Sequence, residues 1–555
     1  MEVTVDNFSK AFQILEGKIE SADFIAVDGE FTGLSAFREG APSYETLEKV
    51  YEKARNGTGK MMLVQYGICL FVWKEELNEY EAVPFSFFIF PRPYKKFGND
   101  IVFTAQSSSI NFLAENGFDF NKLFQKGVSF MNPREERIAQ QNIDRDIEHA
   151  MEKEKQSVMN VIPAAESETS KVFIPKDQRE FITGVCDMVK SFVQGDSSDV
   201  LDLPPCTAFQ RKLIYEKVEE MYPLGLYLES ATNAAEDKFI RVHKTVTGYK
   251  KNIEEKFATE KQQLQDRVGF INVMRLLTKC RKPIIGHNMF KDLLLTYSNF
   301  FGELPSTFGE YKESVHELFP TVFDSKVLAT VPPMSNVLTN SSVDKLVREI
   351  NEGNLPDPCT KMSAKLQNEE GFSERFHDAG YDAFSTGRIF ISLSKHISSH
   401  AGSPVSRIDV TSDILSGYAN KIYINRIRDV FSCNLCGEDV TPDRRNVFFV
   451  QFPSGWKTDN IKQLFITYTS SSWVNWINDT SAFVTIEEEK YDQIYKSLVI
   501  GSAGGEGVSV LPYNHYIRGI DPKSLQADAD PPPGKRQRTE TESDKEDGEL
   551  VSDSE

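Results

Sequence analysis

The sequence predicts an α/β protein: a mixed sheet with flanking helices, interrupted by a small α+β insertion and followed by a second small α+β unit. Three observations predict it. Apolar, β-branched and aromatic runs at residues 24–31, 61–73 and 83–90 have the length and composition of strands. Helix, strand and helix patterns alternate over residues 270–300, as in an α/β core. Residues 446–498 read as strand, helix, strand, strand, helix, the opening of an RNA-recognition fold.

Bulk properties narrow the classes. A chain of 555 residues has room for about three domains, and 40% hydrophobic residues are ample for buried cores. The net charge of −19 excludes a globally basic nucleic-acid binder. Much of that acid lies in residues 539–555, however, so the folded parts remain free to present basic grooves. Seven scattered cysteines form no paired framework, which fits a reducing compartment. The first residues, Met1-Glu2-Val3-Thr4-Val5-Asp6, lack the basic-then-apolar pattern of a secretory signal. No apolar run approaches membrane-spanning length. The expectation is a soluble protein of the cytosol or nucleus.

In chain order, Phe24-Ile25-Ala26-Val27 reads as a buried strand that delivers Asp28-Gly29-Glu30 at its end. A loop of small and polar residues, 35–56, precedes the two long strands. Gln106-Ser107-Ser108-Ser109-Ile110-Asn111-Phe112-Leu113 looks like a serine cap opening a short helix. Residues 133–157 are a charged helix leading out of the first block, and residues 158–171 a linker. Helical patterns at 177–193 and 207–221 and a β pair at 224–229 and 238–247 then make a compact unit. A charged helix at 250–265 returns the chain to the first architecture, so that unit is an insertion. The expected organisation is one domain in two parts, 1–170 and 249–430, with an insertion at 171–248. A C-terminal α+β unit follows at 440–505, and residues 506–555 are expected to be a disordered acidic tail.

The chemistry starts at the end of the first long strand. Asp28 and Glu30 are two apart and project to the same side, with no side chain between them at Gly29. Like charges that close repel unless a cation or a proton intervenes. Oxygen-only ligation suits Mg2+ or Mn2+ better than zinc. The bland alternative is a strand ending in a polar turn, with both acids solvated. Three later stretches carry further candidates. Gly286-His287-Asn288 leads into a helix whose first turn holds Asp292; Asp324 heads Ser325-Lys326-Val327-Leu328; and His377-Asp378-Ala379-Gly380-Tyr381-Asp382 precedes an apolar helix. Gly380 is expected to break any helix between His377 and Asp382, leaving His377 on a loop and Asp382 on the first helical turn. Each has an ordinary reading too. Asp292 and Asp382 fit helix starts as dipole-stabilising acids, His287 fits a packed structural histidine, Asp324 a cap outside the metal set, and His377 a surface histidine.

The order of the motifs adds weight. Asp-x-Glu-x-Thr-Gly at a strand end, then Gly-His-Asn-x-x-x-Asp, then His-x-x-x-x-Asp resembles the DEDD exonuclease pattern with a histidine. Phosphodiester cleavage needs charge stabilised on the attacking and leaving oxygens, which two cations about 4 Å apart accomplish. Asp28, Glu30, Asp292 and Asp382 would be the metal ligands, and His377 the base that takes the proton from water.

The resemblance extends to the poly(A)-specific ribonuclease family. It rests on Asp-Gly-Glu-Phe-Thr-Gly, the Gln-Ser-Ser-Ser-Ile helix, Phe118-Asp119-Phe120-Asn121-Lys122, Gly286-His287-Asn288-Met289, residues 206–215 and Ala379-Gly380-Tyr381-Asp382-Ala383. It runs from the start to about Lys496, insertion included. The resemblance implies a ribonuclease H-like DEDD exonuclease core, an inserted RNA-binding-type domain and a C-terminal RNA-recognition-motif domain. It implies removal of mRNA poly(A) tails from the 3′ end with release of 5′-AMP by a homodimer. Two Mg2+ per active site, with Mn2+ as an alternative, come with it. Phe31, Ile110, Phe112 and Lys326 would line the adenine path, and Trp476 would stack on the mRNA 5′ cap. Poly(A) RNA and the cap are the expected partners, with neither DNA nor membrane among them, in nucleus and cytoplasm.

There are departures. The insertion resembles a domain named for an Arg-xxx-His signature, yet Tyr215 stands where the histidine belongs, which turns the expectation toward dimerisation. Val343 replaces a leucine expected in the adenine path. Cys433-Asn434-Leu435-Cys436 has zinc-knuckle spacing without a second pair and reads as reduced thiols. Lys535-Arg536-Gln537-Arg538 has the composition of a nuclear localisation signal, or of a solvated charge cluster. The rival function is a catalytically idle RNA- or cap-binding regulator on the same scaffold.

Overall fold

A computed structural model describes residues 1–34, 44–93, 101–156, 173–195, 198–222, 225–233, 236–244, 246–363, 376–425, 427–487, 490–500 and 507–520. The chain forms two units: one made of residues 1–39, 46–425 and 431–439, and one of residues 40–45, 426–430 and 440–555.

The first unit begins with strands β1 (Glu2–Val3), β2 (Phe24–Phe31), β3 (Leu63–Lys74) and β4 (Glu79–Phe88). Three short strands of the insertion follow: β5 (Val200–Asp202), β6 (Tyr227–Thr232) and β7 (Lys238–His243). The core then resumes with β8 (Ile284–Gly286), β9 (Val322–Asp324) and β10 (Thr360–Met362). Among the described residues the core strands make one sheet in the order β1-β4-β3-β2-β8-β9, with β10 added on β4. It is mixed as expected: β2, β3 and β4 are antiparallel neighbours, whereas β8 runs parallel to β2 and to β9. Strands this apolar need cover on both faces. One face receives the Ala379–His400 helix, whose Ala383, Phe390 and Leu393 pack with Phe24, Phe71, Ile285 and Phe323 in one buried cluster.

The insertion stacks the Arg179–Gln194 and Ala208–Met221 helices on a β5-β7-β6 sheet. Its own core joins Ile182, Val185 and Val189 to Leu213, Val218, Ile240 and Val242. Thr207 and Gln210 cap the second helix reciprocally. The Pro133–Gln156 helix leaves the core, the Val246–Val268 helix returns to it, and the two pack together. The linker expected at 158–171 lies outside the described residues. A short ribbon of β11 (Lys421–Tyr423) and β12 (Ser432–Asn434) closes the unit. Cys433 is buried on β12, Cys436 is exposed, and both are free thiols.

The second unit holds β13 (Val447–Gln451), β14 (Trp473–Asn478), β15 (Ser481–Thr485) and β16 (Ser509–Pro512), an antiparallel sheet in the order β14-β15-β13-β16. The last strand corrects the expected tail. Residues 509–512 pair with β13, Val510 and Leu511 are buried, and the Tyr513–Ile517 helix follows. Glycines around position 505 disguised a strand whose backbone bonds come from a partner some 60 residues earlier. On one face of this sheet Phe449 and Phe483 form a cluster with Tyr44, Tyr513 and Tyr516. Tyr44 stands edge-on to Phe483 and shares a hydroxyl–hydroxyl hydrogen bond with Thr485 at 2.5 Å. Buried Arg444 donates to the Tyr44 carbonyl at 2.9 Å and pairs with Asp429. Among the described residues no helix is long and apolar enough to cross a membrane.

Candidate active site

Strand β2 ends at the sheet's working edge. Its first four residues are buried; beyond them Gly29 is buried, and Asp28, Glu30 and Phe31 are half-buried. A register shift falls between Glu30, opposite Gln65, and Phe31, opposite Leu63, so the last pair on β3 is bulged.

Parallel pairing of β8 with β2 brings the Gly286-His287-Asn288 loop alongside that end. The loop turns through a left-handed Asn288, φ 59°, into the Phe290–Phe300 helix, with Asp292 in its first turn. Asp324 supports the turn. It is fully buried and accepts the backbone N–H groups of Asn288 at 2.8 Å, Met289 at 3.1 Å, Lys326 at 3.0 Å and Tyr423 at 3.0 Å. Four charge-assisted bonds occupy its oxygens, which makes it the cap expected for it. His287 packs beneath, its Nδ1 2.9 Å from the Ser325 hydroxyl, and burial pushes its pKa down to about 3.

The third stretch departs from expectation at Gly380. The helix begins at Ala379, capped by Asp378, so Gly380 lies inside it rather than breaking it. The glycine is there for space: a Cβ would stand 2.2 Å from the Ser86 Oγ and 2.9 Å from the Phe85 backbone. His377 still sits just outside the helix, at φ 68°, and Asp382 occupies the first turn. The His377 N–H donates to Asp382 Oδ2 at 2.8 Å. One potential ligand atom from each of Glu30, His377 and Asp382 lies within 4.8 Å of the others.

Electrostatics make this set unusual. Burial first, then Asp292 and Asp382, hold the Asp28 carboxyl well above the usual range; burial, then Asp382 and Asp292, do the same to Glu30. Asp292 and Asp382 are each pushed up to about 7, again mainly by burial. Asp292 Oδ1 is buried without a hydrogen-bond partner among the described residues. Four carboxylates pressed together with an orphaned oxygen are short of positive charge, and the all-oxygen donor set fits a hard divalent cation. His377 is half-buried, and desolvation lowers its pKa, against a smaller opposing effect of Asp344.

The residues expected along a substrate path fall around this set. Phe112 is 45% exposed on the Ser107–Glu115 helix, with its ring edge-on to His377 at 4.6 Å between centroids. That helix is capped at Gln106, with no side-chain cap, not by a serine as expected; Ile110 lies on it half-buried. Phe31 follows Glu30 on β2. The Lys326 ammonium is 5.4 Å from the Tyr423 ring centre and donates to the Ser341 carbonyl at 3.3 Å. Val343 opens the Val343–Asn351 helix. Trp476 belongs to the other unit, on edge strand β14, with its indole N–H donating to Thr458 Oγ1 at 3.2 Å. Trp473 on the same strand is exposed as well, so neither indole is a core residue. Tyr215 sits at the surface of the insertion. Lys535–Arg538 lies outside the described residues. Sequence reasoning gave no role to Asp378, Gln65 or Ser86, which meet behind His377. Aspartate before Ala-Gly at a helix start signals a cap; nothing local marks the other two.

Comparison with known proteins gives the family. A model described as CAF1 family ribonuclease matches residues 3–390, and one described as RNA binding domain matches residues 437–518. The poly(A)-specific ribonuclease PARN of Xenopus laevis is 34% identical over 525 residues, covering 93% of this chain and 81% of that protein. The Homo sapiens protein of that name is 34% identical over 529 residues, covering 93% and 80%. A Bombyx mori protein named pre-piRNA 3′-exonuclease trimmer is 24% identical over 443 residues, covering 77% of each. The ribonuclease match spans Asp28, Glu30, Asp292, His377 and Asp382, and the likeness runs through most of both chains. This chain therefore belongs to the poly(A)-specific ribonuclease family, among the CAF1 ribonucleases.

Proposed function

We propose that this chain shortens poly(A) from the 3′ end by cation-assisted hydrolysis, releasing 5′-AMP, with His377 as general base. Family membership makes the chain a poly(A)-specific 3′-exoribonuclease that binds RNA. The observation that carries the cation is Asp292 Oδ1, buried and unpartnered among carboxylates whose pKa values are all raised. Asp28, Glu30, Asp292 and Asp382 would hold Mg2+ or Mn2+, two ions in our reading. Bound there, the cations would offset charge on the attacking and leaving oxygens. His377, neutral near pH 7 because burial lowers its pKa, takes the proton of the attacking water. Phe112, Phe31, Ile110 and Lys326 hold the terminal adenosines, and Phe112 also backs the histidine ring.

The same reading assigns cap binding to Trp476, a homodimer as the working form, and both nucleus and cytoplasm as its location. The test is AMP release from oligo(A), oligo(U) and DNA oligomers of equal length, each with and without EDTA. Metal-dependent release from oligo(A) alone is expected. Equal rates on all three, or activity untouched by EDTA, would overturn the corresponding part.

A further inference from the structure

Behind His377 three buried side chains hold one another. Asp378, Ser86 and Gln65 are 9%, 1% and 1% exposed. Asp378 Oδ1 accepts the N–H groups of Gly380 at 3.1 Å and Tyr381 at 3.3 Å, and also the Ser86 hydroxyl. Its Oδ2 accepts the Gln65 amide Nε2 at 3.3 Å. Gln65 Oε1 in turn accepts the Ala379 N–H at 2.9 Å. The oxygens of Asp378 are thus engaged within the protein.

These bonds link the sheet to a single turn. Ser86 lies on β4 and Gln65 on β3, where it stands directly opposite Glu30 of β2. The turn they hold carries His377 on one side and Asp382 on the other, joined by the His377 N–H to Asp382 bond. There is no slack in it. A Cβ on Gly67 would stand 1.8 Å from the Ala379 carbonyl oxygen, so helix start and strand are already in close contact.

We propose that Asp378, held by Ser86 and Gln65, is a positioning residue that sets His377 and Asp382 against Glu30. It shares no proton and binds no cation. The proposal rests on the exonuclease reading above and adds the part that fixes its geometry. A cap that only stabilised the helix would leave turnover per folded molecule unchanged. A clamp would not, since displacement of reacting groups by about 1 Å costs about 10²-fold in rate.

Asp378→Asn tests it. The variant keeps the volume and the Oδ1 acceptor but turns an amide donor toward the Gln65 donor. In the double variant Gln65→Glu/Asp378→Asn the two partners exchange roles, and the new carboxylate still accepts the Ala379 N–H. Three quantities are read: kcat and KM on oligo(A), Mn2+ affinity by calorimetry, and Tm in EDTA. The single variant is expected to lose about 10²-fold in kcat with KM little changed and Mn2+ affinity weakened. The double variant is expected to regain most of both losses. Wild-type kcat and Mn2+ affinity in the folded single variant would overturn the clamp, and so would a folded double variant no better than the single. Should Asp378→Asn not fold, Ser86→Ala decides: lowered kcat at unchanged KM supports the clamp and wild-type kcat refutes it. An inactive wild-type protein would refute the exonuclease reading, while the Mn2+ comparison would still decide on the clamp.

Discussion

Gly29 faces Asp292 so closely that a Cβ on it would stand 3.2 Å from Oδ1, and 2.7 Å from the Leu63 side chain. The glycine between the two acids of β2 is therefore the space into which the third acid reaches. Gly29→Ala should cost about 1–3 kcal/mol through overpacking and lower turnover more than that loss of folded protein explains. Thermal unfolding and AMP release on one preparation check this. Wild-type turnover would show the gap to be idle.

Removing one acid should separate activity from folding. Asp28→Ala is expected to lose several orders of magnitude in rate, because cation binding needs the set. Its Tm in EDTA should match or exceed that of the wild type, since like-charge repulsion falls. Near-normal turnover by this variant would sink the ligand assignment.

The raised carboxyls also predict a pH dependence. Asp292 and Asp382 hold protons up to about pH 7 in the folded protein, whereas an unfolded aspartate releases its proton near pH 4. Their contribution to stability is thus fully present below about pH 4 and lost as pH rises through about 7. In EDTA, Tm should fall between pH 5 and 8 more steeply for wild type than for Asp382→Asn, and added Mg2+ should reduce that fall. Parallel Tm curves for the two proteins would contradict the raised pKa.

For the base, His377→Ala should lose roughly 10²- to 10⁴-fold in rate, with cation binding kept. Because burial lowers its pKa, the acid limb of the wild-type rate profile should lie below the usual histidine value near 6.5. A profile flat through that limb, or a fully active variant, would make His377 a bystander.

On the other unit, Trp476→Ala should lose about 1–3 kcal/mol of cap-analogue binding, the range for one stacked base, with a cation–π share from a methylated guanine. Oligo(A) degradation should continue. Trp473, 52% exposed on the same edge strand, provides the control. Equal indole quenching by cap analogue in wild type and Trp476→Ala would move the platform elsewhere.

What could be read beforehand follows from the range over which each signal acts. The mixed α/β core was legible because strands such as Phe24–Phe31 write their burial into adjacent residues. Asp28, Glu30, Asp292, His377 and Asp382 stood out because each lies at an element end, where a strand or helix pattern stops. Gly380 was misread because its need for space comes from Ser86, almost 300 positions away in sequence. Asp378 was silent for a similar reason: a buried acid and a surface cap look alike until the donors facing it are known. The strand at Ser509–Pro512 failed for want of its partner, β13.

That last strand, together with Tyr44, bears on how the C-terminal unit can be isolated. A fragment of residues 440–505 would lack β16 and leave the backbone of β13 open along one side, an invitation to pair with another molecule. It would also uncover Phe449 and Phe483, which Tyr44, Tyr513 and Tyr516 now shield. Such a piece would be sticky and would display an aromatic surface that the whole chain keeps hidden. RNA or cap affinities measured on it would report that artificial surface. A faithful excision must run through residue 520 and supply the Tyr44 segment, either on a linker or as a separate peptide.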